Sequence, residues 1–167
     1  INEELWRTVT PFAFPPDSPN LHMLLATAMP DQRRRYLEPY ARGEATSAIA
    51  ISEPNAGGDP SGMITRAEKV GNEWVLNGRK IWISRVPAAA FTIVMARVGA
   101  GKKRHEGITA FIVERGTPGF VIAREIPMLA GHRTYEVVFD NCRIPEDAIL
   151  GTVGAGFAPM QLRDRKS

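Results

Sequence analysis

From Met63 onward the chain runs through a series of short stretches rich in β-branched and aromatic residues. Each is closed by a turn signal, and no helical stretch falls between them. Ile64 to Val70 and Glu73 to Leu76 flank Gly71-Asn72, which reads as a hairpin turn. Asn77-Gly78 is the stronger hairpin signal, and it is expected to turn the chain into Lys80-Ile81-Trp82-Ile83. Further strands are expected over Phe91 to Val98, Ile108 to Glu114, Phe120 to Ala123 and Tyr135 to Phe139. Sequential strands without crossover helices predict a mainly β fold, an antiparallel β-barrel or sandwich, over residues 45–150.

The first 44 residues read differently. Pro11, Pro15, Pro16 and Pro19 oppose regular structure near the start. Leu21, Leu24, Leu25 and Ala28 then recur at helical spacing. Pro30 suits the first turn of a second helix, and Asp31 beside it favours the positive helix end. Tyr36, Leu37 and Tyr40 form its apolar stripe, with Arg33, Arg34 and Arg35 toward water. Pro39 is expected to kink or loosen it, and Gly43 to end it. Residues 1–44 thus form a short helical segment before the β region. Residues 151–167 open on a glycine-rich link, with a helix expected to begin at Phe157 to Leu162.

Composition narrows the function classes. The chain has 167 residues, 44% hydrophobic and 23% charged, in the range of a soluble globular domain. A net charge of +3 is too mild to argue for nucleic acid, despite a pI near 9.3. The longest nearly apolar run, Val86 to Ala96, is too short to cross a membrane and is interrupted by Pro87. Ile1-Asn2-Glu3-Glu4 has no signal-peptide character. With Cys142 alone, no intrachain disulfide forms, which fits a reducing compartment. His22, His105 and His132 lack metal-ligand spacing with one another or with Cys142, so no metal site is expected.

Two stretches carry candidate chemistry. In Ile51-Ser52-Glu53-Pro54-Asn55-Ala56-Gly57-Gly58-Asp59, the proline and paired glycines allow a tight turn and close approach of a ligand to backbone N–H groups. It matches neither a P-loop nor a dinucleotide fingerprint. In Trp82-Ile83-Ser84, the indole offers a flat face to an aromatic ligand. Ser84, two residues on, is expected on the same side of the strand. Each stretch alone also fits an ordinary surface turn or a core aromatic. Lys102-Lys103-Arg104-His105 reads as a solvated loop.

Taken in order, these pieces resemble the acyl-CoA dehydrogenase family. Ser52 to Asp59 is similar to its Thr-Glu-Pro-Gly-Ala-Gly-Ser-Asp loop, and Leu76 to Ser84 to its Leu-Asn-Gly-x-Lys-x-Trp-Ile-Thr strand. Leu37-Glu38-Pro39 through Gly43-Glu44 resembles the helix end before its middle domain, and Gly107 to Gly119 the strand and turn that follow. Phe139 to Pro145 resembles Phe-Glu-Asp-Cys-x-Val-Pro, and Gly154-Ala155-Gly156-Phe157 the lead into its C-terminal domain. The likeness extends over residues 20–162.

The resemblance implies a middle β-barrel domain (45–150) after the remnant of an N-terminal helical domain (1–44). The start of a truncated C-terminal helical domain (151–167) would follow. It implies FAD as cofactor, contacted by Ile49, Ala50, Ile51, Ser52, Glu53, Gly57, Gly58, Trp82, Ile83 and Ser84. Ser52 and Ser84 stand where the family has threonine and keep the hydroxyl. Gly58 stands where a family serine contacts acyl-CoA, so only its backbone serves substrate. Asn55 stands where the family has glycine, and Asn tolerates positive φ better than most residues. The implied activity is α,β-dehydrogenation of acyl-CoA thioesters, with electrons passed to an electron-transferring flavoprotein. The protein would be a soluble enzyme of the bacterial cytoplasm or mitochondrial matrix, as a homo-oligomer.

No carboxylate here matches the family's catalytic base; Glu53, Glu114 and Glu136 sit in other contexts. The resemblance places the base in the C-terminal domain, so this stretch is expected to be inactive alone. The truncation is also expected to bare an apolar face. The alternative to this leading reading is a non-catalytic β-barrel fragment or interaction module that binds no flavin.

Overall fold

The computed structural model describes residues 19–99, 106–129, 132–157 and 159. The proline-rich start, Lys102 to His105, most of Phe157 to Leu162 and the closing polar residues lie outside the described residues.

Helix α1 (Pro19–Thr27) is followed by α2 (Pro30–Gln32), a π turn (Arg33–Leu37) and α3 (Glu38–Ala41). The π turn answers the expectation at Pro39. That residue has no N–H and its ring crowds the carbonyl four residues back, so the preceding turn widens and the Glu38 N–H donates to the Arg33 carbonyl. Leu24, Leu37 and Met23 face inward, while Leu25, expected in the stripe, is 47% exposed. Gly43 ends the helix at φ 74°. Asn20 Nδ2 donates to Ser47 Oγ at 2.9 Å, and Gln32 Nε2 donates to the carbonyls of Asp147 and Ile149. These bonds fasten the helices to both ends of the β region.

Eight strands follow: β1 (Ser47–Ala50), β2 (Arg66–Val70), β3 (Glu73–Ser84), β4 (Phe91–Arg97), β5 (Ile108–Glu114), β6 (Phe120–Pro127), β7 (Arg133–Pro145) and β8 (Ile149–Leu150). They form one sheet ordered β6-β7-β3-β2-β4-β5-β8, with β1 beside β4. The mainly β expectation holds. The antiparallel expectation needs correction: β1 pairs with β4 in parallel, and β2 touches β4 in parallel through Arg66 and Arg97. No crossover helix is involved, because the hairpin β2–β3 returns the chain between β1 and β4. The terminal strands β6 and β8 do not pair with each other, so the sheet is curled but not closed.

The curl encloses a core. Trp74 on β3 and Phe111 on β5 bring their rings within 5.4 Å, although β2 and β4 stand between these strands in the sheet. Around them pack Ala48, Ala50, Leu76, Ile83, Val94, Val137, Phe139 and Cys142. The opposite face of β4 and β5 carries Phe91, Ile93, Met95, Ile108 and Ile112 against Met23, Leu24 and Leu37 of the helices. Two cores, one on each face, explain why these strands read as unbroken apolar runs rather than alternating ones.

Asn77-Gly78 is not a turn. β3 continues through it as one strand, with a register shift against β7 between Leu76 and Gly78. Gly78 sits at φ 153°, and a Cβ there would lie 2.5 Å from Thr65 Oγ1. The glycine admits a crossing backbone, and Asn77 spends its side chain accepting the N–H of Asn141.

Candidate functional site

Beyond Ala50 the chain leaves the sheet as a loop and returns at Arg66. Glu53 and Ala56 exchange backbone hydrogen bonds at 3.2 and 3.1 Å, forming a tight turn. Asp59 accepts the N–H of Ser61 and caps the short 3₁₀ turn Pro60–Gly62. Gly57 and Gly58 are exposed, with open space where a Cβ would project.

The loop is tied to β3 at its neck. The Glu53 carboxylate accepts the N–H of Ile64 at 2.7 Å and of Thr65 at 3.0 Å. Lys80, fully buried, donates to Glu53 Oε1 at 2.9 Å and to the Ile51 carbonyl at 3.0 Å. Ile81 N–H donates to the Ser52 carbonyl at 2.9 Å. Burial works to raise the Glu53 carboxyl, but the Lys80 charge and the N–H donors outweigh it and hold it below the usual carboxylate range. Burial pushes the Lys80 ammonium down to about 8, against a raising pull from Glu53.

At the end of β3 a second register shift falls between Lys80 and Ile83. Trp82 lies in that irregularity with φ 62°, and its side chain is 52% exposed. The period-two rule that sets Ser84 beside Trp82 does not carry across such a bulge. Ser84 is half-buried, with its Oγ 3.2 Å from His132 Nε2. A groove of about 360 Å³ opens beside this pair, lined by Thr46, Arg85, Pro87, Ala88, His132, Arg133 and Tyr135. A second groove, of about 500 Å³, runs from Glu53, Pro54 and Asn55 past Ile64 and Gly78 to Arg79 and Val138.

The structure thus brings the two sequence stretches into direct contact through Ser52 and Ile81. It divides their members. Trp82, Gly57 and Gly58 are exposed; Ser52, Ser84, Ile49 and Ile51 are half-buried. Ile49 and Ile51 pack toward the helix-side core. Ala50 and Ile83 are closed into the inner core, at 0% and 3% exposure. Glu53 spends its carboxylate on Lys80 and two backbone donors.

Lys80 was not singled out from the sequence. The signal was there: Arg79 and Asn77 face water while Gly78 and Lys80 alternate with them, which places a lysine inside. A buried lysine needs a carboxylate partner. His132 carried no sequence signal, because only the fold brings its loop to Ser84.

The donor set suits a flavin. One flat indole, two hydroxyls and unobstructed glycine backbone near this neck offer stacking and hydrogen bonds to a flat, polar ligand. The fold is a curled sheet with helices packed on one face. The chain belongs to the acyl-CoA dehydrogenase family. Its acyl-CoA dehydrogenase middle-domain description matches residues 48–142.

Among relatives, the chain is 41% identical to (R)-benzylsuccinyl-CoA dehydrogenase of Thauera aromatica, over 91% of this chain and 38% of that protein. It is 41% identical to the mitochondrial isovaleryl-CoA dehydrogenase of Oryza sativa subsp. japonica, over 81% of this chain and 34% of that one. Among solved structures, butyryl-CoA dehydrogenase from Megasphaera elsdenii superposes with a TM-score of 0.81 at 35% identity. That match covers 86% of this chain and 38% of the other. The chain therefore spans little more than a third of the length of these relatives.

Proposed function

We propose that this chain forms the flavin-facing wall of an FAD-dependent acyl-CoA dehydrogenase, acting in the α,β-dehydrogenation of acyl-CoA thioesters. The observation that carries the reading is the Ser52–Ile81 hydrogen bond. It sets the glycine loop and the exposed Trp82 side by side as one surface. When bound, FAD supplies the hydride acceptor of that reaction. The chain's own residues would hold it: Trp82 by stacking, Ser52 and Ser84 through their hydroxyls, and Gly57 and Gly58 through backbone N–H groups, Gly58 toward acyl-CoA as well. Ile49, Ala50, Ile51 and Ile83 would stiffen the wall from behind.

Three carboxylates that could be considered for the base are engaged by other side chains. Glu53 is bound to Lys80, Glu114 to Arg35 and Tyr36, and Glu136 to Arg79 and Arg124. The 167-residue chain alone is accordingly proposed to be inactive. By family resemblance, acyl-CoA and an electron-transferring flavoprotein are the proposed partners, with a homo-oligomer as the working assembly and a closed barrel as the working shape. The proposed compartment is the bacterial cytoplasm or mitochondrial matrix. Among the described residues no helix is long and apolar enough to cross a membrane.

The test is titration of the purified chain with FAD, followed by Trp fluorescence and the visible spectrum. Binding in the micromolar range or weaker is expected, worth no more than about 8 kcal/mol. No binding at high micromolar FAD would favour a β module without flavin. Anaerobic mixing of the FAD-loaded chain with a panel of acyl-CoAs should leave the flavin unbleached. Stoichiometric bleaching would show that this chain supplies its own base.

A further inference from the structure

Among the largest fully buried side chains in the described structure, one belongs to a charged residue, Lys80. A buried ammonium is costly, and apolar replacement of a buried pair is often neutral or stabilising. Stability alone therefore gives weak reason for this pair, and its connections must be read for another role.

They converge on one place. The Glu53 carboxylate holds the N–H groups of Ile64 and Thr65, on the returning arm of the loop. The Glu53 backbone holds Ala56 on the outgoing arm. Lys80 holds Glu53 and the carbonyl of Ile51, and its neighbour Ile81 holds Ser52. Met63 Sδ stands 3.9 Å from the ammonium, completing its shell from the returning arm. Both arms of the loop thus meet at one ammonium on β3, two residues before Trp82.

We infer that Lys80 is a positioning residue, acting with Glu53 as a pin that closes the neck of the loop over residues 53–64 and fixes it relative to Trp82. This rests on the flavin-wall reading for its consequence but not for its geometry. Directional, saturated bonds specify one loop position, which an apolar contact would leave free to slide. The glycine backbone and the indole then reach a ligand already in register.

The experiment uses the 167-residue chain and two readouts. In the Glu53→Gln/Lys80→Met double variant, no charge is left buried and unpaired. Amide exchange at Ala56, Ile64, Thr65 and Ile81 should quicken at least about tenfold, while β4 and β5 amides stay as protected as in the parent. At pH 7, FAD affinity should fall about tenfold without change in the thermal midpoint beyond a few degrees. Unchanged exchange at these four amides in a folded double variant would overturn the inference. If the double variant fails to fold, the parent decides: under mild denaturant the four amides should exchange as one unit, and independent openings would overturn the pin. Failure of the parent to bind FAD would count against the flavin wall alone, since the exchange result stands without ligand.

Discussion

Ile81 donates its backbone N–H to the carbonyl of Ser52 at 2.9 Å, and by that bond two stretches far apart in sequence become neighbours. Trp82, the next residue, then projects from the junction with half its surface in solvent. Replacing it by alanine should weaken FAD binding about tenfold, the equivalent of one lost aromatic contact of about 1.5 kcal/mol. Titration of both proteins at equal ionic strength measures this. Equal affinity would remove the indole from the wall.

Arg85 follows the same bulge and carries φ 64°, a conformation that costs an L-residue with a Cβ about 1 kcal/mol or more. Its side chain is exposed. The turn it opens is fixed by its carbonyl, which accepts from Ala88 and Ala89. Arg85→Gly keeps that carbonyl and removes the strain. A gain of about 1 kcal/mol in urea unfolding is expected, and a loss would mean that the guanidinium makes a contact worth more than the strain.

The opposite result is expected at Gly78. A methyl group there would meet the Cα of Thr65 at 2.7 Å as well as its Oγ1, and backbone cannot yield as a side-chain tip can. Gly78→Ala should cost about 2 to 3 kcal/mol by forcing the arms of the loop and β3 apart. Chemical denaturation gives the number. Near-native stability would show that the bulge relaxes freely.

The same glycine marks where sequence reading stops. Asn-Gly between two apolar runs is the common hairpin sign, and nothing local distinguishes a turn from a bulge. The difference lies in Thr65, a residue brought across by tertiary packing. Strands β4 and β5 were legible because their apolar runs reflect burial on both faces. The parallel β1–β4 pair was not, since pairing partners depend on where the β2–β3 hairpin folds back. In the site, the glycine loop and Trp82 were visible as residue types. Their contact was not, and neither was the depth of Lys80, whose partner Glu53 reads locally as part of a turn. Ala50 and Ile83 show the converse: membership in a motif did not reveal that their side chains serve the core.

Lys80 also sets a pH signature. Burial lowers its folded value to about 8 from an ordinary 10.5. Between these values the unfolded chain keeps a proton that the folded chain has released. By linkage, the contribution of Lys80 to stability grows as pH rises through this window and is lost as pH falls through about 8. Cys142 works the other way: burial pushes its thiol from 9.0 up to about 11, so its contribution is full below 9 and lost as pH rises toward 11. Tyr36, raised by burial and by its hydrogen bond to Glu114, acts in the same sense as Cys142 at still higher pH. A melt of the parent alone would mix these slopes. The Glu53→Gln/Lys80→Met variant keeps Cys142 and Tyr36, so its subtraction isolates Lys80. Glu53 is ionised throughout this range and adds no slope. The difference in melting temperature, parent minus variant, should therefore rise steadily between about pH 7.5 and 10. A flat difference would mean that Lys80 keeps an ordinary affinity for its proton, and that the pocket around Glu53 admits water in solution.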